Sequence, residues 1–403
     1  MSQATDIQQT DILISGGGVA GLAAAAAFGA AGFTTICVDP TPPVTSEGAE
    51  GADMRTTAFL HPSRKLLEAA GLWSRLAPHA APLQIMRIID AGGEKSEARL
   101  TRDFDASDLS DEPFGWNFPN WLLRRELVTR LAEIPQVDFR PGVATTGLLT
   151  RESGAEVTLS DGSHVQAKLV VAADGRNSFI REAAGIPVKT TRYGQKALAF
   201  AVTHPIPHGN VSTEIHRTGG PFTLVPLPDR NGVPSSAIVW MERGAEAERL
   251  AALPVAEFEA AMLERSTGIL GPLKLETRRS VWPMMTQIAR RFSAQRVALI
   301  AEAAHVIPPI GAQGLNMSLA DLAYLLDLCD RDPAHLGEPA MLEAYHRRRW
   351  PEVKAREIGI DALNRASMVQ ARPLRDLRAG VLGALYSLGP VRKSLMRAGL
   401  GIR

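Results

Sequence analysis

The sequence contains little cysteine and almost no net charge. Its two cysteines, Cys37 and Cys329, are far apart and lie in apolar segments of a 403-residue chain. This usage excludes a disulfide framework and offers no metal-ligand spacing. We therefore expect a protein of a reducing compartment without a metal site. The formal net charge of +1 provides no extended basic field, which argues against a nucleic-acid partner.

Long hydrophobic runs are also missing. No stretch of about 18 apolar residues occurs, so no transmembrane helix is expected. The first residues, MSQATDIQQTD, are polar and acidic and do not resemble a signal peptide. We therefore expect a cytoplasmic protein, in which 45% hydrophobic and 22% charged residues form one or two ordinary globular domains.

A glycine-rich loop near the N-terminus is the first functional motif. Residues 11–15 form an apolar strand, an alanine-rich helix follows the loop, and residues 34–38 form a second strand. Gly16, Gly18 and Gly21 fit the G-x-G-x-x-G spacing, and Asp39 ends the second strand. The glycines permit a tight turn and close approach of a pyrophosphate, and the acid can bind ribose hydroxyls. This combination predicts an adenine-dinucleotide site.

A second motif occupies residues 297–321, VALIAEAAHVIPPIGAQGLNMSLAD. An apolar strand at residues 297–300 precedes Pro308 and Pro309, which exclude helix and favour an extended turn. Gly314 then stands before a helical pattern that begins at Leu315. A strand, a glycine turn and a helix N-terminus form a site for an anion or a polarised oxygen. Taken alone, this stretch is equally compatible with an ordinary buried strand–loop–helix.

Three stretches together resemble the class A flavoprotein monooxygenases, and most closely the ubiquinone-biosynthesis hydroxylases. They are Asp53-x-Arg55, the motif Asp174-Gly175…Ser178…Arg181, and residues 303–321. The resemblance covers nearly the whole chain. It implies an α/β fold with a Rossmann-like FAD-binding domain, an inserted antiparallel-sheet substrate domain and C-terminal helices, as in para-hydroxybenzoate hydroxylase.

The resemblance also implies roles for individual residues. The loop glycines would hold the FAD pyrophosphate and Asp39 the adenosine ribose. Arg124 would reach the phosphate side, Asp174 would serve both FAD and pyridine-nucleotide phosphates, and Glu302 would bind ribityl or ribose hydroxyls. Gly314, Leu315 and Asn316 would offer backbone N–H groups to the flavin pyrimidine. Arg55 would lie near the isoalloxazine, and Pro308 would border it on the substrate side.

The chain departs from the family pattern at one dipeptide, because Ala301-Glu302 replaces Gly-Asp. A glutamate accepts the same hydrogen bonds from one methylene further out. Alanine, however, adopts a positive φ only at a cost. We expect FAD binding to survive this change.

Several residues have simpler interpretations. Arg55 could be a solvated loop arginine, and Arg181 is expected to form a surface ion pair without a cofactor role. His305 is interpreted as a hydrogen-bonded structural histidine more readily than as a general base. Four candidate pocket residues, each better explained singly as ordinary core, are Phe200, Phe222, Trp240 and Met284.

The predicted domains are discontinuous. Residues 1–80, 120–185 and 285–350 are assigned to the FAD-binding domain, residues 81–119 and 186–284 to the sheet domain, and residues 351–403 to a helical region. Strands are predicted at 197–202, 211–215, 222–227 and 237–240, with 83–89 and 114–118 joining the same sheet. Helices are predicted at 339–352 and 354–369.

Residues 372–403 carry seven Lys or Arg and one acid. They could lie on an anionic membrane surface or dock on protein, and the two alternatives are equally weighted. A ubiquinone-biosynthesis complex or a homo-oligomer is left open as a further partner.

Three functions are compatible with these patterns. The first is a hydroxylase of a lipophilic polyprenyl phenol that uses O2 and, as a transient electron donor, NAD(P)H. The second is a hydroxylase of a small soluble phenolic compound, and the third is a catalytically silent FAD-binding subunit. The absence of a clear protein-based catalytic set is expected of the first two, because the cofactor performs the difficult chemistry.

Overall fold

The computed structural model describes residues 7–93, 97–368, 393–394 and 396–397. The strands are β1 Gln8–Ser15, β2 Thr35–Asp39, β3 Thr56–Leu60, β4 Ala81–Leu83, β5 Ile85–Asp90, β6 Leu100–Asp105, β7 Gly115–Pro119, β8 Val137–Pro141, β9 Thr145–Arg151, β10 Gly154–Leu159, β11 His164–Ala172, β12 Val188–Thr203, β13 Val211–His216, β14 Pro221–Arg230, β15 Val233–Arg243, β16 Lys274–Leu275, β17 Ser280–Ala289, β18 Ser293–Ala294, β19 Val297–Leu299 and β20 His305–Val306. The helices are α1 Val19–Ala30, α2 His61–Ala69, α3 Trp73–Leu76, α4 Asn120–Leu131, α5 Phe179–Ala183, α6 Gly244–Ala252, α7 Val255–Arg265, α8 Ala301–Ala304, α9 Gln313–Arg331 and α10 Pro339–Ser367.

The first sheet has the order β18-β19-β11-β1-β2-β8, and its β19, β11, β1, β2 and β8 run parallel. Ile12, Leu13 and Ile14 of β1 are fully buried, as expected of a parallel strand covered on both faces. The hairpin β9–β10 extends this sheet through an antiparallel pairing with β11. The predicted strands at residues 11–15, 34–38 and 297–300 are confirmed.

The second sheet has nine strands, with the central order β17-β12-β15-β14-β13 and antiparallel pairing throughout that run. Successive residues of β12 point to opposite faces. Leu198, Phe200 and Val202 share a core with Phe258 of α7, whereas the alternate positions on the other face are alanines. The predicted antiparallel sheet in the middle of the chain is confirmed.

Two details of that prediction were wrong. Residues 114–118 do not join the large sheet, because β7 pairs with β3 and β4 in a separate three-stranded sheet. The reason is a close backbone approach, since a Cβ on Gly115 would stand 2.8 Å from the Phe59 carbonyl oxygen. Residues 83–89 are divided between β4 in the small sheet and β5 in the large one.

The four candidate pocket residues are part of the core. Phe200, Phe222 and Trp240 are buried together beneath the large sheet, with the rings of Phe222 and Trp240 in edge contact at 5.3 Å. Met284 packs against Ile310 in a smaller cluster on the opposite side. The ordinary-core interpretation is therefore confirmed.

The two helices predicted at the C-terminal end are one continuous helix, α10, with Pro351 inside it. Contacts on both sides of the proline hold the helix together. Tyr345 donates a hydrogen bond to the Leu299 carbonyl (2.7 Å), and Asn364 donates one to Gln195 Oε1 (3.0 Å). α10 thereby connects the two large sheets.

The predicted domain limits stay a prediction. The proposed role of residues 372–403 falls almost entirely outside the described residues. Within the described part of the chain, no helix has the length and apolar character needed to cross a bilayer.

Candidate active site

The predicted site residues meet at one edge of the first sheet. The strands β19, β11, β1 and β2 are adjacent and parallel, with Ser15 beside both Ala172 and Val38, and Ala172 beside Leu299. Their carboxyl ends therefore form a row. In sheet order these ends lead into Ala301-Glu302, Asp174, Gly16 and Asp39. Ligands of open α/β sheets bind at such an edge.

The glycine loop is packed against this row. Gly16 has φ +111°, and a Cβ there would lie 2.3 Å from the Ala173 carbonyl oxygen. A Cβ on Gly21 would lie 1.8 Å from the Gly16 carbonyl oxygen. Both positions require glycine for close backbone contact.

Gly18 is different, because a Cβ added to it would meet no protein atom within 4 Å. Its backbone is extended (φ −66°, ψ 174°), and it is the N-cap of α1 without a side-chain capping bond. The first N–H groups of a helix have no intrahelical acceptor. The open space at Gly18 is therefore bordered by free donors and by the positive end of the helix dipole.

Asp39 lies at the end of β2 beside this loop. Its carboxylate accepts hydrogen bonds from the Gly17 N–H (2.6 Å) and the Thr41 N–H (2.8 Å). The sequence did not reveal this second role, in which the acid braces the loop that it adjoins.

Asp53 and Arg55 form a bidentate ion pair, with Nε–Oδ1 at 2.8 Å and Nη2–Oδ2 at 2.7 Å. Asn120 of α4 donates a hydrogen bond to Asp53 (3.0 Å), and Arg124 approaches it at 3.8 Å. Burial raises the pKa of Asp53, but Arg55 outweighs that effect and holds the pKa below its usual value. Arg124 Nε is buried without a hydrogen-bond partner in the structure.

Arg55 also contacts the large antiparallel sheet. Its guanidinium lies over the ring of Trp282 in β17, 4.3 Å from the ring centroid. Burial lowers the pKa of Arg55, yet Asp53 and Glu302 together raise it above its usual value. Arg55 is thus fixed on one face while 39% of its side chain remains exposed. Trp282 had no sequence signal that linked it to this site.

Asp174 follows β11 and carries an unsatisfied oxygen. Its Oδ2 accepts the Ile180 N–H (3.1 Å), whereas its Oδ1 is buried without a partner in the structure. Burial raises the pKa of this carboxyl. Such an oxygen has room for a donor supplied by a ligand.

The expected surface position of Arg181 was wrong, although the residue does approach the exposed Glu182 at 3.8 Å. The residue is only 3% exposed, and its Nη1 donates to the carbonyl oxygens of Arg176 (2.9 Å) and Ala303 (3.2 Å). Because these carbonyls belong to the loops after β11 and β19, Arg181 ties the Asp174 loop to the Ala301-Glu302 segment.

Ala301 adopts the left-handed conformation that the sequence made unfavourable, with φ +55°. Glu302 is exposed beside it. The segment therefore keeps the left-handed backbone conformation at Ala301. The cost for a residue other than glycine is of the order of 1–2 kcal/mol.

The N-terminus of α9 lies against β3, the strand that follows Arg55. Its N-cap, Ala312, is also left-handed (φ +55°) and provides no side-chain cap. Gly314 is exposed, and a Cβ on it would meet nothing within 4 Å, while Leu315 is partly buried. As at Gly18, uncapped helical N–H groups border open space.

Asn316 fixes this helix end to the segment that follows Arg55. Its Oδ1 accepts hydrogen bonds from the Leu60 N–H (2.9 Å) and from Ser63 Oγ (2.6 Å). Its Nδ2 donates to the Ala58 carbonyl oxygen (2.7 Å). The side chain is thus fully used inside the protein, which leaves only its backbone for a ligand.

In the Pro-Pro turn, Pro308 is buried and Pro309 is exposed. The assignment of Pro308 to the substrate side of a bound ring stays a prediction.

His305 is structural, as expected. Its Nε2 lies 2.6 Å from Asp321 Oδ2, and Asp321 Oδ1 accepts a hydrogen bond from Arg349 Nε at 2.8 Å. The side chains of His305 and Asp321 are 1% and 0% exposed. This buried triad joins the Pro-Pro turn, α9 and α10.

Comparison with known proteins identifies the family. The model of an FAD binding domain matches residues 9–357. Ubiquinone hydroxylase UbiL of Rhodospirillum rubrum is 32% identical over 394 residues, covering 97% of this chain and 89% of that protein. The chain belongs to the class A flavoprotein monooxygenases.

Other members of the family align over their full length. The 3-demethoxyubiquinol 3-hydroxylase of Escherichia coli is 27% identical over 98% of this chain and 99% of its own. Among solved structures, p-nitrophenol 4-monooxygenase PnpA of Pseudomonas putida superposes with a TM-score of 0.79 at 18% identity, covering 98% of this chain and 100% of that one. This likeness confirms the predicted fold.

The residues of this monooxygenase fit its cofactor, FAD. Two uncapped helix N-termini, at Gly18 and Gly314, border space that a Cβ would enter without touching protein. Two buried polar atoms, Arg124 Nε and Asp174 Oδ1, have no partner in the structure. Helix donors and an arginine suit phosphate and carbonyl oxygens, and a carboxylate oxygen suits a ribose or ribityl hydroxyl.

Proposed function

We propose that this monooxygenase hydroxylates the aromatic ring of a polyprenyl phenol in ubiquinone biosynthesis, using NAD(P)H and O2. The observation that carries the proposal is the 32% identity to a protein named ubiquinone hydroxylase across 97% of the chain. Two further relatives of matching length, the Escherichia coli hydroxylase and the rat ubiquinone biosynthesis monooxygenase COQ6, have names of the same kind.

In this proposal the row of strand ends holds the adenosine, pyrophosphate and ribityl parts of FAD. Gly16, Gly18 and Gly21 would surround the pyrophosphate, with Asp39 on the adenosine ribose. The remaining contacts are assigned to Arg124 on the FAD phosphate side, Asp174 on FAD and pyridine-nucleotide phosphate binding, and Glu302 on ribityl or ribose hydroxyls.

The flavin ring would lie between Arg55 and the start of α9. Backbone N–H groups of Gly314, Leu315 and Asn316 would face its pyrimidine end, where an uncapped helix N-terminus stabilises negative charge. Pro308, or the exposed Pro309 next to it, would border the ring on the substrate side. When bound, FAD accepts electrons from NAD(P)H and supplies the oxygen-activating chemistry.

The protein's own residues then orient the reactants. Arg55 is held by Asp53 and Trp282, so its charge has a fixed position at the edge of the cleft. The Asn316 side chain donates a hydrogen bond to Ala58 of β3 and thereby fixes the position of the backbone donors at the start of α9. Such preorganised donors need no rearrangement during the reaction, which is the main source of electrostatic catalysis.

Mass spectrometry of a strain that lacks this protein tests the proposed substrate. A prenylated phenol that lacks one ring hydroxyl should accumulate, and the wild-type gene should remove it. Accumulation of a small soluble phenol would support the second function. An unchanged quinone pool, together with no NAD(P)H oxidation in response to any phenol, would support a catalytically silent FAD-binding subunit.

A lipophilic substrate also motivates a peripheral position at the membrane. We propose that residues 372–403, with their excess of Lys and Arg, contact an anionic membrane surface. Sedimentation with vesicles of anionic lipid should depend on this segment. Retention of binding after its removal would instead favour a docking role on another subunit, a ubiquinone-biosynthesis complex or a second copy.

A further inference from the structure

A cavity of about 370 Å³ lies next to the segment that carries Arg55. Met54 and Thr56, the two neighbours of Arg55, form one side of it, and Trp121 and Leu122 of α4 form another. The large sheet closes the cavity with Ala201 and Leu227. The cavity therefore lies between the cofactor-binding half and the sheet, where ligand sites commonly form.

Small side chains on one face of the large sheet create this space. Ala201 of β12 is the cross-strand partner of Ala237 of β15, which in turn is the partner of Val225 of β14. These three form an apolar cluster with Leu227. Phe200, Phe222 and Trp240 of the same strands point to the opposite face, so the side at Ala201 is left with a shallow apolar lining.

The charges around the cavity are neutralised or solvated. Its described wall carries the charged residues Glu47, Asp229 and Arg230 and the partly buried, titratable His79. Arg230 donates to Glu47 at 2.7 Å and lies 3.6 Å from Glu276, while Asp229 is exposed. The buried part of the wall, formed by Leu122, Ala201, Leu227 and Ser235, thus presents no cation to a carboxylate or a phosphate.

Two contacts hold the wall in place. The pair Glu47–Arg230 joins the loop before Asp53 to the β14–β15 hairpin. Arg278, which lies just before β17, donates a hydrogen bond to the Ala52 carbonyl oxygen. The loop before Asp53, on one side of the cavity, is therefore anchored to the large sheet at two points.

We infer that this cavity receives the aliphatic chain of the phenolic substrate, while the ring occupies the adjoining space beside Arg55. The inference rests on the proposed function and adds the position of the chain. An apolar chain gains affinity by leaving water for the Ala201–Leu227 surface. A carboxylated or phosphorylated substituent would have to compete with Glu47 and Glu276 for Arg230.

The test uses phenol probes with ortho chains of zero, one, two and three isoprene units, titrated into the FAD-loaded protein and followed by flavin absorbance. The dissociation constant should fall as the chain grows. In Ala201→Phe, which fills the cavity, the three-unit probe should bind about tenfold or more weakly, whereas unsubstituted phenol should bind as to wild type.

A matched control is Ala252→Phe, because Ala252 lines a separate surface hollow with Ala251 and Pro283. It should keep the full dependence on chain length. If Ala201→Phe fails to fold, Leu227→Asn tests the same wall by making it polar. An unchanged dependence in the Ala201 or Leu227 variant, or its loss in the Ala252 variant, would overturn the inference.

This readout does not require turnover. Chain-length-dependent binding without hydroxylation of any probe would contradict the proposed function and leave the cavity assignment intact. Hydroxylation of probes whose affinity does not depend on chain length would support the proposed function and contradict the cavity assignment.

Discussion

Gly18 is the residue whose surroundings indicate a ligand site most directly. Gly16 and Gly21 are required by close contacts within the chain, since a Cβ at either position would collide with the backbone. Gly18 has no such constraint, and its φ of −66° suits any residue. The space in front of Gly18 holds no protein atom within 4 Å of an added Cβ and borders the N–H groups at the start of α1, so a ligand can bind there.

The substitution Gly18→Val should abolish FAD binding without unfolding the protein. The new side chain would enter the space in front of α1, but it would meet no protein atom within 4 Å. We expect purified Gly18→Val protein to lack the flavin absorbance band and to keep the circular dichroism of the wild type.

Gly359→Val is the matched control, because Gly359 is an exposed helical position with equally open surroundings. It should retain FAD. A Gly18→Val protein with full flavin content would remove the glycine loop from the cofactor site.

The residue scale also marks where sequence reasoning reached its limit. The glycine spacing and Asp39 could be located from the sequence, because a strand–turn–helix motif is encoded locally. The burial of Arg181 and the left-handed backbone of Ala301 could not, since both depend on loops brought together by the sheet.

At the scale of elements, hydrophobic periodicity located strands and helices but not all of their partners. The parallel strands β1, β2 and β19 were found because each is a short apolar run. The pairing of β7 with β3 and the continuity of α10 through Pro351 are tertiary outcomes. Neither the close contact at Gly115 nor the anchoring of α10 at Tyr345 has a local sequence signal.

The triad of His305, Asp321 and Arg349 holds three elements together. We expect Asp321→Asn to lower the free energy of unfolding by about 3–5 kcal/mol, because it removes the fully buried carboxylate that His305 and Arg349 share and leaves Arg349 with Glu352. The control Asp327→Asn, on the same helix, disrupts only an exposed pair with Arg331 and should cost under about 1 kcal/mol. Denaturant unfolding at neutral pH measures both.

The same triad predicts a pH dependence. Burial raises the pKa of Asp321, but His305 and Arg349 lower it further, so the pKa in the folded state lies below the usual 3.8. Stability from this group is present above the unfolded pKa and is lost as the pH falls through the folded one. Asp321→Asn should therefore lose less stability than the wild type on acidification below about pH 4. Parallel acid curves for the two proteins would contradict the assigned charge interaction.

At the scale of the whole molecule, the site is assembled from segments spread over most of the chain. The loops after β1 and β11 and the segment after β19 converge because the parallel sheet aligns their strand ends. The Asp53–Arg55 segment joins them through the charge interaction of Arg55 with Glu302, and Asn316 ties the start of α9 to β3. The motifs could be recognised separately in the sequence. Their distances, the stacking of Arg55 on Trp282 and the cavity at Ala201 required the packing of two sheets.

Isotope labelling tests the central claim, that this cleft supports flavin-dependent hydroxylation of a lipophilic phenol. FAD-loaded protein is supplied with NAD(P)H, ¹⁸O2 and a prenylated phenol, and the phenol is analysed by mass spectrometry. We predict NAD(P)H oxidation stimulated by the phenol, with one ¹⁸O atom incorporated into its ring. Oxidation that yields only hydrogen peroxide and an unlabelled, unchanged phenol, for every chain length offered, would contradict the account.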